Sequence, residues 1–174
     1  MKKNLNEFKR LLLTACCTLV LSCGWATVNE KPFVIPELKQ WSGAEGMFTP
    51  SGKYVVKGGK NAQEVAKLFA ADYHDLVGKP LTPKTGKPSA GDIVLVLQSD
   101  RKSARLEGLV WGTRTVLQLS EQQRSAGFVL PKGSAQDTPA YGLRGFMMDC
   151  GRKFIPMSYL RSLVKMMSYY KMNT

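Results

Sequence analysis

Residues 54–78 read YVVKGGKNAQEVAKLFAADYHDLVG and change from a strand pattern to a helix pattern. The first four residues are aromatic, β-branched or lysine and end at a glycine pair, which is typical of a strand. Beyond the glycines, apolar residues recur at intervals of three and four, which places them on one face of a helix. We expect this helix to begin with a capping box of Asn61 and Glu64 and to end at Gly78.

A second strand and a second helix follow. Residues 79–91 are rich in proline and glycine and predict a loop, after which residues 93–97 (IVLVL) form an apolar run typical of a strand covered on both faces. Residues 109–119 return to helical spacing, with a polar exit behind them. The order strand, helix, strand, helix predicts a layered α/β or α+β domain.

Shorter segments surround this unit. Residues 33–35 lie between two prolines and favour an extended edge position. Residues 47–49 predict a short strand, and residues 128–131 form an apolar piece that leads into a polar loop ending at Pro139.

The end of the chain has a second pattern of its own. Residues 142–149 are strand-like, and residues 157–171 predict a long helix with an apolar face. That face consists of Leu160, Leu163, Val164, Met167 and Tyr170. A strand and one helix are half of a βαβ unit and cannot bury such a face alone, so we expect the chain to break off inside its second unit.

Composition sets the class of protein. The chain has 174 residues, of which 44% are hydrophobic and 22% charged, and this excludes collagen, a coiled coil and wholesale disorder. The length allows one domain, or one domain with the beginning of a second. The formal net charge is +12.

The N-terminus predicts secretion. Basic residues up to Arg10 precede the apolar run 11–21, so residues 1–22 form a signal peptide too short to remain as a membrane span. Residues 20–23 (VLSC) resemble a bacterial lipobox, in which cleavage before Cys23 leaves a thiol that is acylated and anchors the protein to the membrane. Cleavage after Ala26 is the alternative. We expect a periplasmic protein or an outer-membrane or cell-surface lipoprotein of a bacterium.

The cysteines exclude an internal disulfide. Cys16 and Cys17 lie in the signal peptide and Cys23 is lipidated or removed, which leaves Cys150 in the mature chain. We expect Cys150 to be a small buried hydrophobe rather than a nucleophile or a ligand.

Neither a metal nor a nucleic acid is expected. His74 is the only histidine, His-Glu-x-x-His is absent, and we expect His74 at the surface. The basic loop residues are spread out without aromatic neighbours, and secretion separates the protein from nucleic acid, so they predict solvated loops. They are Lys79, Lys84, Lys87, Arg101, Lys102 and Arg105.

Residues 141–156 (YGLRGFMMDCGRKFIP), with Tyr-Lys-Met-Asn at 170–173, resemble the opening of the catalytic barrel in family 20 glycoside hydrolases, the β-N-acetylhexosaminidases. The shared pattern is Arg-Gly-x-x-x-Asp-x-x-Arg-x-Phe followed by a helix. Residues 108–119 (GLVWGTRTVLQL) resemble the last helix of that family's N-terminal domain. The resemblance implies no cofactor.

The resemblance implies an α+β architecture in four parts. A signal peptide (1–22) and a linker (23–31) precede a zincin-like N-terminal domain of a sheet with two helices (32–138). Residues 139–174 are then the truncated start of a (β/α)8 TIM barrel. Two departures stand out: a pair of strands usual before the helix at 108–119 is missing, and the family's catalytic Asp-Glu pair on a later strand has no counterpart.

The implied activity is removal of terminal N-acetylglucosamine or N-acetylgalactosamine from glycans. The substrate's own 2-acetamido oxygen is the nucleophile, one Asp orients it, and one Glu protonates the leaving oxygen. No residue of this chain can be assigned either role, so we expect the isolated chain to be inactive.

One residue, Arg144, carries over from the family pattern with a role in binding. Arg144 matches the arginine that hydrogen-bonds the 3- and 4-hydroxyls of the terminal sugar, and its rigid N–H donors suit two adjacent hydroxyls. The alternative is an arginine held by a buried carboxylate. Asp149 and Arg152 are expected to form a structural ion pair that supports the pocket rim, with direct substrate contact as the alternative.

A rival function is a non-catalytic glycan-binding surface lipoprotein made of the α+β domain alone. It predicts that the apolar face from Leu160 to Tyr170 packs on that domain rather than awaiting barrel partners. A nucleic-acid binder is a third class, which would show a steep salt dependence of binding.

Overall fold

A computed structural model of the chain describes residues 27–97 and 106–174. The predictions for the signal peptide, Cys16, Cys17, Cys23, Arg101, Lys102 and Arg105 lie outside the described residues. The elements in chain order are β1 (Gln40–Phe48), β2 (Lys53–Lys57), α1 (Lys60–Val77), β3 (Thr82–Pro83), β4 (Ile93–Val96), α2 (Leu106–Gln122), β5 (Leu130–Gln136) and α3 (Met157–Tyr169). They form an α+β fold.

Helix α1 begins two residues earlier than the capping pattern predicts. Its N-cap is Gly59, which makes no side-chain cap hydrogen bond, so the predicted capping box of Asn61 and Glu64 is wrong. The helix starts directly behind the glycine pair, and Asn61 already lies in its first turn. The predicted end is confirmed, because Gly78 adopts a left-handed φ of 74° and its N–H donates to the carbonyl of His74 at 2.8 Å.

The core lies between one sheet and two helices. The sheet has the order β3-β2-β4 with parallel pairs, and Tyr54 and Leu95 point toward α1 and α2. The predicted burial of β4 on both faces is wrong: Val94 is 37% and Val96 44% exposed. The helices pack on the Leu95 side of the sheet, and the side chains alternate between the two faces.

Strands β1 and β5 form a second, antiparallel sheet that the sequence pattern missed. Of the predicted strand 47–49, Met47 and Phe48 are the end of β1, and the predicted polar loop after residue 131 is mostly β5. Trp41 lies across β5 at Gly133, where an added Cβ would come within 2.4 Å of the indole. Asn29, which falls in the predicted linker, joins this sheet because its side-chain amide donates to Ala44 at 2.6 Å and to Lys132 at 3.0 Å.

The C-terminal segment, residues 141–174, is much more exposed. Residues 142–149, predicted as a strand, have no regular secondary structure, because no described strand lies beside them to complete a hydrogen-bond ladder. No residue of α3 is buried. Cys150 is exposed, which corrects the prediction of a buried residue: the run around it has no packed layer above it.

Candidate functional site

A groove of about 800 Å³ lies between α2, the residues that follow β5, and the end of α3. Trp111 and Glu107 of α2 line one side, and Asp137 and Tyr141 line another. Arg144 and Lys171 of the C-terminal segment also line it. The groove is therefore the place where the α+β unit and the C-terminal segment meet.

Arg144 is half-buried in this groove, and backbone carbonyls hold it. Its Nε donates to the carbonyl of Lys171 at 2.8 Å, and Nη1 donates to the carbonyl of Tyr141 at 2.5 Å. The alternative of a buried carboxylate partner is wrong for the described residues, because both acceptors are carbonyls. A guanidinium has five N–H donors, so three have no hydrogen-bond partner within residues 27–97 and 106–174.

The aromatic wall beside Arg144 comes from α2. The Arg144 Cζ lies 5.4 Å from the centroid of the Trp111 ring, within the range of a cation–π contact. Trp111 and Gln118 are seven residues apart, which is about two helical turns and places them on the same side of α2.

Lys171 lines the groove and has an unusual backbone conformation. It has a left-handed φ of 58°, a conformation that costs a residue with a side chain on the order of 1 kcal/mol or more. Its side chain is 6% exposed, and its Nζ lies 3.4 Å from the Asp137 carboxylate. The carbonyl of Lys171 is thereby placed to accept the Arg144 Nε–H bond.

Gln118 joins three segments behind the groove. Its Oε1 accepts from the Ile35 N–H at 2.7 Å, and its Nε2 donates to the carbonyls of Ile35 and Tyr169, each at 2.8 Å. Gln118 is 4% exposed. The side chain of Tyr169 is also partly buried, and this burial raises its pKa. Sequence reasoning missed this role, although the signal was present: a polar amide stands at a core-facing position of the TVLQL sequence.

The charged residues around the groove balance in sign. Three are basic and three acidic: Lys39, Arg144, Lys171, Glu37, Glu107 and Asp137. Glu37 accepts a hydrogen bond from Lys31 at 2.6 Å, which lowers the pKa of Glu37 and keeps it ionised. A balanced lining of this kind suits a neutral polar ligand better than a strongly charged one.

Asp149 and Arg152 lie outside this groove. Arg152 Nε is 3.1 Å from Asp149 Oδ2, and the side chains are 92% and 55% exposed for Arg152 and Asp149 respectively. Asp149 also accepts the Gly151 N–H at 2.8 Å. The structure thus brings the two into an exposed ion pair and does not bring them beside Arg144; their support of a pocket rim stays a prediction.

The other residues considered from the sequence lie apart from the groove. His74 is exposed in the last turn of α1, as predicted. The described part of the chain has no group of three or more His, Cys, Asp or Glu side chains placed to hold a metal. None of the helices in that part is long and apolar enough to cross a bilayer.

Two ion pairs with a buried partner lie in the α+β unit, and one corrects a prediction. Lys84, expected in a solvated loop, is bonded at 2.6 Å to Asp92, whose side chain is 2% exposed. Arg114, 3% exposed, is paired with Asp72 at 2.5 Å between α1 and α2. None of these four residues lines the groove.

The comparisons with known proteins point to one family. The family model described as "Glycosyl hydrolase family 20, catalytic domain" matches residues 141–174. The beta-hexosaminidase of Vibrio furnissii is 31% identical over 64% of this chain and 19% of its own length. That of Porphyromonas gingivalis is 24% identical over 95% of this chain and 26% of its own length.

Residues 141–174 are thus similar to the catalytic domain of glycosyl hydrolase family 20. The crystal structure of a beta-N-acetylhexosaminidase from Bacteroides fragilis has a similar fold, with a TM-score of 0.61 and 16% identity over 81% of this chain and 31% of that one. This chain therefore spans about a fifth to a quarter of the curated relatives' length and under a third of the similar structure. The family match covers Tyr141, Arg144 and Lys171 of the groove, whereas Trp111 and Gln118 lie before it.

Proposed function

We propose that this chain supplies the zincin-like N-terminal domain and the first strand and helix of the (β/α)8 catalytic barrel of a β-N-acetylhexosaminidase. One observation carries the proposal. Inside the family match, Arg144 faces a groove with three N–H donors that have no partner among the described residues, next to the indole of Trp111.

The substrates we propose are glycans that end in N-acetylglucosamine or N-acetylgalactosamine. As in the family, the 2-acetamido oxygen would attack the anomeric carbon while a carboxylic acid protonates the leaving oxygen. Arg144 would hold the 3- and 4-hydroxyls of the same sugar with its free N–H groups, because hydroxyl oxygens accept hydrogen bonds and a guanidinium only donates them.

A sugar titration tests the role of Arg144. Methyl β-N-acetylglucosaminide is added to the purified chain, and binding is followed by tryptophan fluorescence. Arg144→Gln is expected to weaken binding at least about tenfold, because hydrogen bonds from a charged donor are lost. Arg161→Gln, at an exposed position of α3, is the matched control and should bind like the unchanged chain.

The sugar itself provides a second control. The 3-deoxy and 4-deoxy analogues each lack one of the two hydroxyls assigned to Arg144, so each should bind to the unchanged chain more weakly than the parent sugar does. Equal affinity for the parent sugar and both analogues would contradict the assignment.

We also propose that the isolated chain does not hydrolyse. The acetamide-orienting Asp and the proton-donating Glu of the family have no counterpart in it, and both roles require positioned carboxylates. Turnover of an aryl N-acetyl-β-glucosaminide above a mock preparation would show that other residues supply these roles.

Secretion with a lipid anchor at Cys23 is part of the proposal. A labelled fatty acid fed to a bacterial host should enter the chain, and Cys23→Ser should abolish the labelling. Cys17→Ser lies in the same N-terminal stretch and should leave it unchanged. Absence of label from the unchanged chain would favour cleavage after Ala26, and labelling that survives Cys23→Ser would show acylation elsewhere.

One observation weighs against the glycan-binding lipoprotein as an alternative. That function predicts that the apolar face of α3 packs on the α+β unit. Val164 is 64% exposed, and Leu160, Leu163 and Met167 are only half-buried. A face this open among the described residues is what the start of a barrel would present, with strand and helix neighbours to cover it.

A further inference from the structure

We propose that one side of α2, formed by Trp111 and Gln118, positions the Arg144 guanidinium for the sugar. The α+β unit would then set the geometry of a binding residue that belongs to the catalytic segment. The inference rests on the proposed function of Arg144 and assigns two positioning residues that contact Arg144 or its support rather than the substrate.

Trp111 fixes the plane of the guanidinium. The Arg144 Cζ stands 5.4 Å from the indole centroid, and the negative face of the ring attracts the cation. Without the indole, the long arginine side chain could rotate away from the α2 side of the groove.

Gln118 acts on Arg144 through the end of α3. Its Nε2 donates to the Tyr169 carbonyl, two residues before Lys171, whose own carbonyl accepts the Arg144 Nε–H. Gln118 is buried, and its amide also makes two hydrogen bonds to the backbone of Ile35. It therefore fixes the position of the backbone at the end of α3 relative to α2. The Lys171 carbonyl then sets where the guanidinium points.

The two positioning residues act from one rigid element. Trp111 and Gln118 stand about 10 Å apart along the axis of α2, at 1.5 Å per residue. One contact orients the guanidinium plane, and the other places the acceptor of its Nε–H. The remaining three N–H groups are left for hydroxyls, with their direction set before the sugar arrives.

The Arg144 Nε–H signal in an NMR spectrum tests the inference without any sugar. The signal is assigned by its loss in Arg144→Lys. In the unchanged chain it should exchange slowly, because of the bond to Lys171, and be shifted upfield by the indole. Trp111→Leu should remove the upfield shift, Trp111→Phe should keep part of it, and Trp41→Phe, in the β1–β5 sheet, should change nothing.

Gln118→Leu probes the second contact. We expect faster exchange of the Arg144 Nε–H, with its shift changed, because the Lys171 carbonyl is no longer held in place. Gln118 is buried, so this variant can fail to fold; the half-exposed Trp111 variants then decide the matter. An Arg144 signal that is unchanged in Trp111→Leu overturns the inference.

Sugar binding separates this inference from the proposed function. Measured by titration calorimetry, because these variants lack the fluorescent Trp111, binding of methyl β-N-acetylglucosaminide should weaken about two- to fivefold in Trp111→Leu and mostly recover in Trp111→Phe. If the unchanged chain binds no sugar, the proposed function is wrong, and the NMR arm still decides whether α2 positions Arg144. If sugar binds but Trp111→Leu binds it equally well, the positioning role is wrong and the proposed function stands.

Discussion

Phe69 in α1 is fully buried, whereas Val164 in α3, also on the apolar face of an amphipathic helix, is 64% exposed. The α+β unit surrounds Phe69 with a sheet and a second helix. The C-terminal segment offers Val164 no such layer. The difference shows that an amphipathic pattern identifies which face of a helix is apolar but not which element packs on that face. The C-terminal segment, which matches the family model, has the less buried of the two helices.

The largest change in the free energy of unfolding is expected from truncating a core side chain of the α+β unit. Phe69→Ala should lower the free energy of unfolding by about 3–5 kcal/mol, because it removes transfer energy and leaves a cavity. Val164→Ala should change it by less than about 0.5 kcal/mol. Urea denaturation measures both. Equal losses would mean that α3 is covered in solution as thoroughly as α1.

Acid should destabilise the α+β unit by protonating Asp92. Hydrogen bonds from Lys84, the Ser89 N–H and Ser51 hold the pKa of Asp92 well below its usual range. A depressed pKa in the folded state adds stability that is present above the unfolded pKa of about 4 and is lost as the pH falls toward the folded pKa. Asp92→Asn should be less stable at pH 7 and lose less stability than the unchanged chain below pH 4.

The exposed carboxylate of Asp149 provides the matched control for Asp92. It is 55% exposed in its pair with Arg152, where solvent screens the attraction. The urea midpoint of Asp149→Asn should follow that of the unchanged chain at every pH. If Asp149→Asn reproduces the acid response of Asp92→Asn, the contrast between buried and exposed pairs fails.

Local patterns predicted the helices well, and pairing between distant residues explains most of the misses. Helices α1, α2 and α3 follow from apolar spacing. Strand β5, with the sequence LPKGSAQ, has low strand propensity and exists because β1 lies beside it. The candidate site shows the same division. Arg144 was identified from a local motif, whereas the contacts of Trp111 and Gln118 depend on the C-terminal segment packing beside α2.

Limited proteolysis should cleave the C-terminal segment faster than the α+β unit. Chymotrypsin is expected to cut first after Tyr141, Phe146 or Phe154, which are 75%, 54% and 87% exposed in backbone without regular structure. Cuts after Phe69 should appear last, because they require opening of the core. Mass spectrometry of the early fragments identifies the sites. Early cleavage inside α1 together with an intact C-terminal segment would reverse the comparison.

The smallest effect is expected at the exposed ion pair that links the two regions. Lys165 of α3 lies 3.0 Å from Asp75 of α1, with side chains 68% and 61% exposed, and the hydrogen bond to Asp75 raises the pKa of Lys165. A raised pKa adds stability at neutral pH that is lost only as the pH rises past about 10, and solvent screens it. Lys165→Met should therefore leave the urea midpoint at pH 7 unchanged, whereas Lys171→Met, at a buried cation, should lower it. A clear loss in Lys165→Met, removed by 1 M salt, would instead show that α3 depends on this charge pair to stay docked while its apolar face is open.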